Sequence, residues 1–191
     1  MRSLLRPALA FVALMTLLTG VLYPVVITGL AQLFFPTQAN GSLVEVNGMA
    51  RGSRLIGQPF SAPGYLWSRP SATGPTPYNG AASSGSNQGP SNPALHDAVA
   101  ARIAALRAAD STLTAPVPVD LVTASGSGLD PPVSVAAAAV QVPRIARARG
   151  MTPEAVQAVI AAHTEGRFLG VFGEPRVNVL LVNLAFDGAA P

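Results

Sequence analysis

The stretch with the clearest capacity for chemistry is Thr123-Ala124-Ser125-Gly126-Ser127-Gly128-Leu129-Asp130. Small residues leave backbone N–H groups accessible, and such groups, helped by serine hydroxyls, can cradle a phosphate. Ser125, Gly126, Ser127 and Gly128 are therefore a candidate phosphate loop, although the stretch has neither the lysine of a P-loop nor G-x-G-x-x-G spacing. The opposing reading is a tight strand-to-helix turn that binds nothing. A serine hydrolase would need a base beside Ser125 or Ser127. The chain has 2 histidines, His96 and His163, and no G-x-S-x-G elbow. His96 falls early in one predicted helix and His163 late in another, where a solvated or dipole-stabilising role suffices.

Composition removes further chemistries. All 12 basic residues are arginine, and cysteine is absent. Without lysine there is no Walker A loop and no Schiff-base enzyme. Without cysteine there is no disulfide, thiolate nucleophile or zinc–thiolate site. Two distant histidines do not suggest a His-rich metal centre. No catalytic residue and no metal ligand is assigned, and a non-enzymatic role is expected. The pI of about 10.2 does not mark a nucleic-acid binder, because Arg and Asp+Glu nearly balance after Pro36. Arg144, Arg147 and Arg149 read as a solvated helix face, or else as a dock for an acidic partner.

The first positioning element is the N-terminal segment. Arg2 and Arg6 precede an uncharged run from Pro7 to Val44. As a helix, Pro7 to Phe35 would span roughly 43 Å, against about 30 Å of hydrocarbon. That is about twice the apolar length of a signal peptide. A retained anchor over 1–36 is expected, spanning about 7–35, with Thr37-Gln38-Ala39 as the loose cleavage-site alternative. Pro24 is expected to kink the helix. Charge bias around the span places the N-terminus in the cytoplasm. Thr16, Gly20, Pro24, Thr28 and Gln32 recur every four residues. The stripe suits close approach of another helix, with Gln32 seeking a hydrogen-bond partner; ordinary scatter on a lipid-facing helix is the other reading.

Residues 37–191 are expected to form one extracytoplasmic α/β (α+β) domain with a small central sheet and flanking helices. Asn47-Gly48 should close a hairpin between Leu43–Val46 and Met49–Arg51. Ser53 to Phe60 reads as a short strand. Residues 57–93 hold 6 Gly and 7 Pro, yet also Phe60, Tyr65, Trp67 and Tyr78, so an ordered docking loop is expected over disorder. Asn92-Pro93, Ser134 and Thr152-Pro153 should start helices, with Pro143 interrupting the second and Gly150 ending it. Val117 to Thr123 reads as a strand. Val177 to Phe186, apolar on both faces, reads as the central one.

Several blocks together carry a family resemblance. They are the apolar anchor, Gly52-Ser53-x-Leu55-Ile56-Gly57-Gln58, Tyr65-Leu66-Trp67-Ser68-Arg69-Pro70-Ser71-Ala72 and Pro77-Tyr78-Asn79. Further along come Ser83-Ser84-Gly85-Ser86-Asn87-x-Gly89-Pro90, the loop from Pro118 to Pro131, Gln141-Val142-Pro143-Arg144, and Gly173-Glu174-Pro175-Arg176-Val177-Asn178-Val179. The chain resembles the C subunit of the Kdp-type potassium-transporting ATPase, the KdpC family. It departs at Pro132, where the family usually has histidine, which puts any role of that histidine in doubt here.

The resemblance implies a single-pass accessory subunit of a bacterial inner-membrane complex for potassium uptake. Its partners would be a potassium-binding channel-like subunit and an ATP-hydrolysing P-type subunit. The implied role is to stabilise assembly and to act as a catalytic chaperone raising ATP affinity, with no cofactor held stably and ATP as the implied nucleotide. The Ser125–Gly128 loop has been likened to the signature loop of ABC transporters. The charge rule opposes direct contact with ATP, because it puts that loop outside the cell. Docking through Trp67, Arg69 and Asn87 of the 57–93 loop, and through Thr16, Gly20, Thr28 and Gln32, is the expected mode. A membrane-tethered extracytoplasmic ligand-binding domain is the alternative. If the helix stripe docks, Thr16→Leu or Gly20→Leu should weaken co-purification with the partner from mild detergent; unchanged recovery would count against it.

Overall fold

The computed structural model describes residues 2–188, the first two by backbone alone. Contacts divide the chain into one unit ending at Leu43 and another starting at Val44. The first is helical: α1 (Arg2–Leu17), a π turn (Leu18–Leu22), α2 (Tyr23–Phe34) and a short α3 (Pro36–Ala39). Within it, the 31 residues Leu4–Phe34 are long enough to cross a membrane and contain an 18-residue stretch of mean hydropathy 2.2. Pro24 lacks an N–H and its ring crowds the carbonyl four residues back. The chain answers by widening the preceding turn, where Tyr23 N–H donates to Leu18 O, five residues away. Helical bonding then resumes in α2. Phe35, restricted by Pro36, leaves helical geometry at φ −137 and ψ 52.

The second unit begins within a hairpin of β1 (Leu43–Val46) and β2 (Met49–Ser53). Asn47 and Gly48 both have positive φ, 53 and 72, as the type I′ turn expected from Asn-Gly requires. The strand expected over Ser53–Phe60 does not form. Instead Gln58 folds back and donates from Nε2 to Arg51 O at 2.7 Å. It fills the place where a Cβ on Gly52 would lie, only 1.9 Å from that nitrogen.

Capping residues set the helices as expected. Asn92 accepts from Ala94 N at 2.9 Å to start α4 (Pro93–Ala109). Ser134 accepts from Ala137 N to start α5 (Val135–Ala139), and α6 (Val142–Arg149) ends at left-handed Gly150. Thr152 caps α7 (Pro153–Ala162) through Ala155 N.

Two predicted strands are replaced. Val117–Thr123 contains only a 3-10 turn at Val119–Leu121, because prolines before it remove ladder donors and Thr123 Oγ1 bonds back to Val119 O at 2.8 Å. Val177–Phe186 is strand only at its start. Here β5 (Arg176–Asn178) ends where Asn178 accepts from Leu181 N at 3.3 Å, capping α8 (Val179–Phe186). The apolar character of both sides reflects a buried helix, with Val179 to Asn183 all buried. A short apolar run cannot by periodicity alone be told from a buried strand.

The sheet is small and antiparallel, in the order β3-β5-β4, with β3 at Pro132–Ser134 and β4 at Thr164–Glu165. Pro132 sits on an edge strand opposite Asn178, where a missing N–H is tolerated. Val133, Ala137, Ile145, Val156, Val177, Val179 and Val182 fill the core, and Leu66 from the long loop joins them, fully buried. Among the described residues, no strand pairs with Leu66. Asn183 does so instead, its Oδ1 accepting from Leu66 N at 2.8 Å and its Nδ2 donating to Leu66 O at 3.0 Å. Asn183→Leu would strand both groups. It should lower unfolding stability by about 2–6 kcal/mol, at roughly 1–3 kcal/mol per unsatisfied buried group, with the shift read from the urea midpoint of Trp67 fluorescence.

Candidate functional site

The long loop of residues 57–93 is ordered by side chains of α6 and α8. Gln141 treats Trp67 as Asn183 treats Leu66: its Oε1 accepts from Trp67 N at 2.8 Å and its Nε2 donates to Trp67 O at 3.2 Å. The two amides thus act as a sheet neighbour for two consecutive loop residues. Arg144 completes the clamp. Only 3% exposed, it donates to Pro63 O at 2.5 Å, Tyr65 O at 3.1 Å and Gln141 Oε1 at 2.6 Å. Its guanidinium also lies 4.4 Å from the Trp67 ring centroid. Burial brings its pKa down to about 10, so it stays charged at neutral pH.

The arginines expected on a solvated face thus separate. Arg144 is interior. Arg149 reaches Gly64 O, Phe186 O and Asp187 and lies over Tyr65 and Phe186. Tyr65 donates to the other Asp187 oxygen at 2.8 Å, which with burial raises the phenol's pKa. Arg147 pairs with Asp110. Burial pushes the Asp110 carboxyl up, but bonds from Thr112 and Arg147 outweigh it and hold the pKa below the usual range.

The Ser125–Gly128 loop lies between the 3-10 turn and β3, so the strand–loop–helix setting of a phosphate site is missing. Its hydroxyls and two of its N–H groups are turned on the protein itself. Ser125, 2% exposed, donates its N–H to Pro70 O at 3.1 Å. The Ser125 hydroxyl accepts from Gly128 N at 3.0 Å and that of Ser127 from Leu129 N at 3.1 Å, while Ser127 Oγ donates to Asp130. Ser127 O accepts from Ser84 N at 2.9 Å and from Ser83 Oγ at 3.0 Å; Gly128 O accepts from Ser71 Oγ at 2.7 Å. The long loop is thus laid over the short one. Asp130 adds a carboxylate beside it, held by Arg69 at 2.9 Å, which does not favour an anion.

Of the expected docking residues, Trp67 and Arg69 are committed internally, whereas Asn87 is exposed with φ 51. Tyr78 donates to Arg69 O, and burial raises its pKa. His96 and His163 bond separately to Pro90 O and Val159 O, each at 2.9 Å. In the first unit Thr16, Gly20, Thr28 and Gln32 are exposed. Gln32 already has a partner, because its amide and that of Asn40 bond reciprocally at 3.2 and 3.1 Å. The sequence does not point to Gln141, Arg144 and Asn183 as a clamp; the one cue it carries is Asn183, a lone polar residue within the apolar run Val179–Phe186.

The family model described as K+-transporting ATPase, c chain (KdpC) matches residues 5–188. A potassium-transporting ATPase KdpC subunit of Sorangium cellulosum is 62% identical over 185 residues, covering 97% of each chain. One from Herpetosiphon aurantiacus is 61% identical over 187 residues, 98% of this chain and 97% of its own. One from Burkholderia cenocepacia is 60% identical over 189 residues, 99% and 98% respectively.

The overlaid loops yield a contrast between glycines. A Cβ on Gly128 would lie 2.5 Å from Thr73 Cγ2 and 2.6 Å from Ser84 O at φ +69, whereas one on Gly126 meets nothing within 4 Å. Gly128→Ala should cost about 2 kcal/mol or more and Gly126→Ala about 0.5 kcal/mol or less. Thermal unfolding of the two variants side by side checks this; equal midpoints would refute the close packing.

Proposed function

The chain belongs to the KdpC family, the c chain of K+-transporting ATPases, and from that premise we propose that it acts by docking rather than by chemistry of its own. In this reading it is a single-pass accessory subunit of the inner membrane with a cytoplasmic N-terminus and the second unit outside. It joins a potassium-binding channel-like subunit and a P-type subunit that hydrolyses ATP, and it stabilises their assembly. Any rise in ATP affinity of the hydrolysing subunit is transmitted through those contacts.

One observation carries the choice of docking over direct nucleotide contact. The Ser125–Gly128 loop spends its serine hydroxyls and the N–H groups of Ser125 and Gly128 on the chain's own acceptors and donors. A phosphate would have to displace them and approach the Asp130 carboxylate. The bias of Arg2 and Arg6 ahead of the apolar span supports the same side assignment.

A membrane-tethered ligand-binding domain has one feature in its favour, an open apolar groove of about 540 Å³ lined by Val135, Ala139, Val142, Ile160 and Ala161. It predicts ligand binding by the chain alone, without co-purification of a multispanning ATPase. The nucleotide question has its own test. With Ser125→Ala/Ser127→Ala in the assembled pump, the docking reading expects an ATP concentration dependence within about twofold of the parent. A shift of tenfold or more with assembly intact, about 1.4 kcal/mol, would return ATP contact to this loop.

A further inference from the structure

The most exposed apolar cluster of the second unit is at the tip between β4 and β5. Phe168, Leu169, Val171 and Phe172 are 71%, 76%, 71% and 64% exposed. Soluble surfaces scatter such residues singly; four within five positions is a patch. The tip is built and not merely loose. Phe168 N–H donates to Phe172 O at 2.8 Å and Phe172 N–H to Phe168 O at 3.0 Å. Gly170 N–H donates to Arg167 O at 3.1 Å, and Val171 N–H to Phe168 O at 3.2 Å. Leu169 and Gly170 take φ of 52 and 74, so a leucine is held left-handed in order to stand in solvent. At the stem, Arg167 grips Glu174 through both carboxylate oxygens at 2.9 and 2.8 Å, and Arg176 meets Glu165 at 2.8 Å.

We infer that this hairpin tip is a docking surface for an apolar protein surface on another subunit of the ATPase. The inference rests on the complex membership proposed above. Charge decides against the bilayer. Membrane-seeking surfaces pair their apolar residues with basic residues free to meet headgroups. Here both stem arginines are committed to glutamates. Size decides against a second copy. At about 150–250 Å² for an aromatic side chain, the four residues offer a few hundred Å², well short of the roughly 800 Å² per partner of a free-standing interface. A patch of that size suffices once another contact has already brought the partner to high effective concentration, as a membrane helix does.

A photo-crosslinking residue in place of exposed Val171, in the full chain co-expressed with the other subunits, tests this in native membranes. Expected is a crosslink to another subunit. Phe168→Ser/Phe172→Ser should reduce it about tenfold or more, while the chain keeps its unfolding midpoint and still co-purifies through its helix. Crosslinks to lipid or to a second copy, or none from a chain that does co-purify, overturn the hairpin assignment alone. A chain that co-purifies with no ATPase subunit overturns the complex reading, and this inference with it.

Discussion

A guanidinium buried without a carboxylate in its bonds is the constraint on which the second unit turns. Taking Arg144 out of water is costly unless each donor is used and its charge is spread over good acceptors. The acceptors are carbonyls of Pro63 and Tyr65 and the Gln141 amide, with the Trp67 face beneath. Because those carbonyls belong to one extended segment, satisfying the arginine fixes the segment. The exchange is mutual: residues with no sheet neighbour find hydrogen-bond partners, and the arginine finds somewhere to discharge its donors.

Once residues 62–67 are fixed, the rest of the long loop follows. Leu66 enters the core and Pro70 O meets Ser125 N. Ser71, Ser83 and Ser84 then bind the carbonyls of Ser127 and Gly128, and Gly57 N–H bonds Leu129 O at 2.9 Å. A stretch rich in glycine and proline is thereby held by hydrogen bonds to the rest of the second unit. The Ser/Gly stretch is its foundation, and smallness there serves close approach of backbone to backbone. The same residue types that suit a phosphate cradle suit this use, and only the neighbours distinguish them.

The functional reading follows from where groups are left unspent. The serine hydroxyls of Ser125 and Ser127 and the N–H groups of Ser125 and Gly128 are spent inside the chain, whereas Phe168 to Phe172 present exposed apolar area. A subunit that works by contact is expected to look like this, with hydroxyls turned inward at the loop and apolar area left for a partner at the hairpin tip.

Local features were legible in the sequence because nearest neighbours determine them. The apolar span, the Asn47-Gly48 turn and the caps at Asn92, Ser134 and Thr152 needed no information from elsewhere in the chain. So was the family, through contiguous blocks. Tertiary structure decided what depends on distant partners. Val179–Phe186 became a buried helix because Asn178 capped it and a core surrounded it, a choice its uniform apolarity could not express. Arg144 and Arg149 left the solvated face because Trp67, Tyr65 and loop carbonyls 79 to 85 residues away offered better company than water. A residue's type sets what it can bond, and only the fold sets what stands within 3 Å of it.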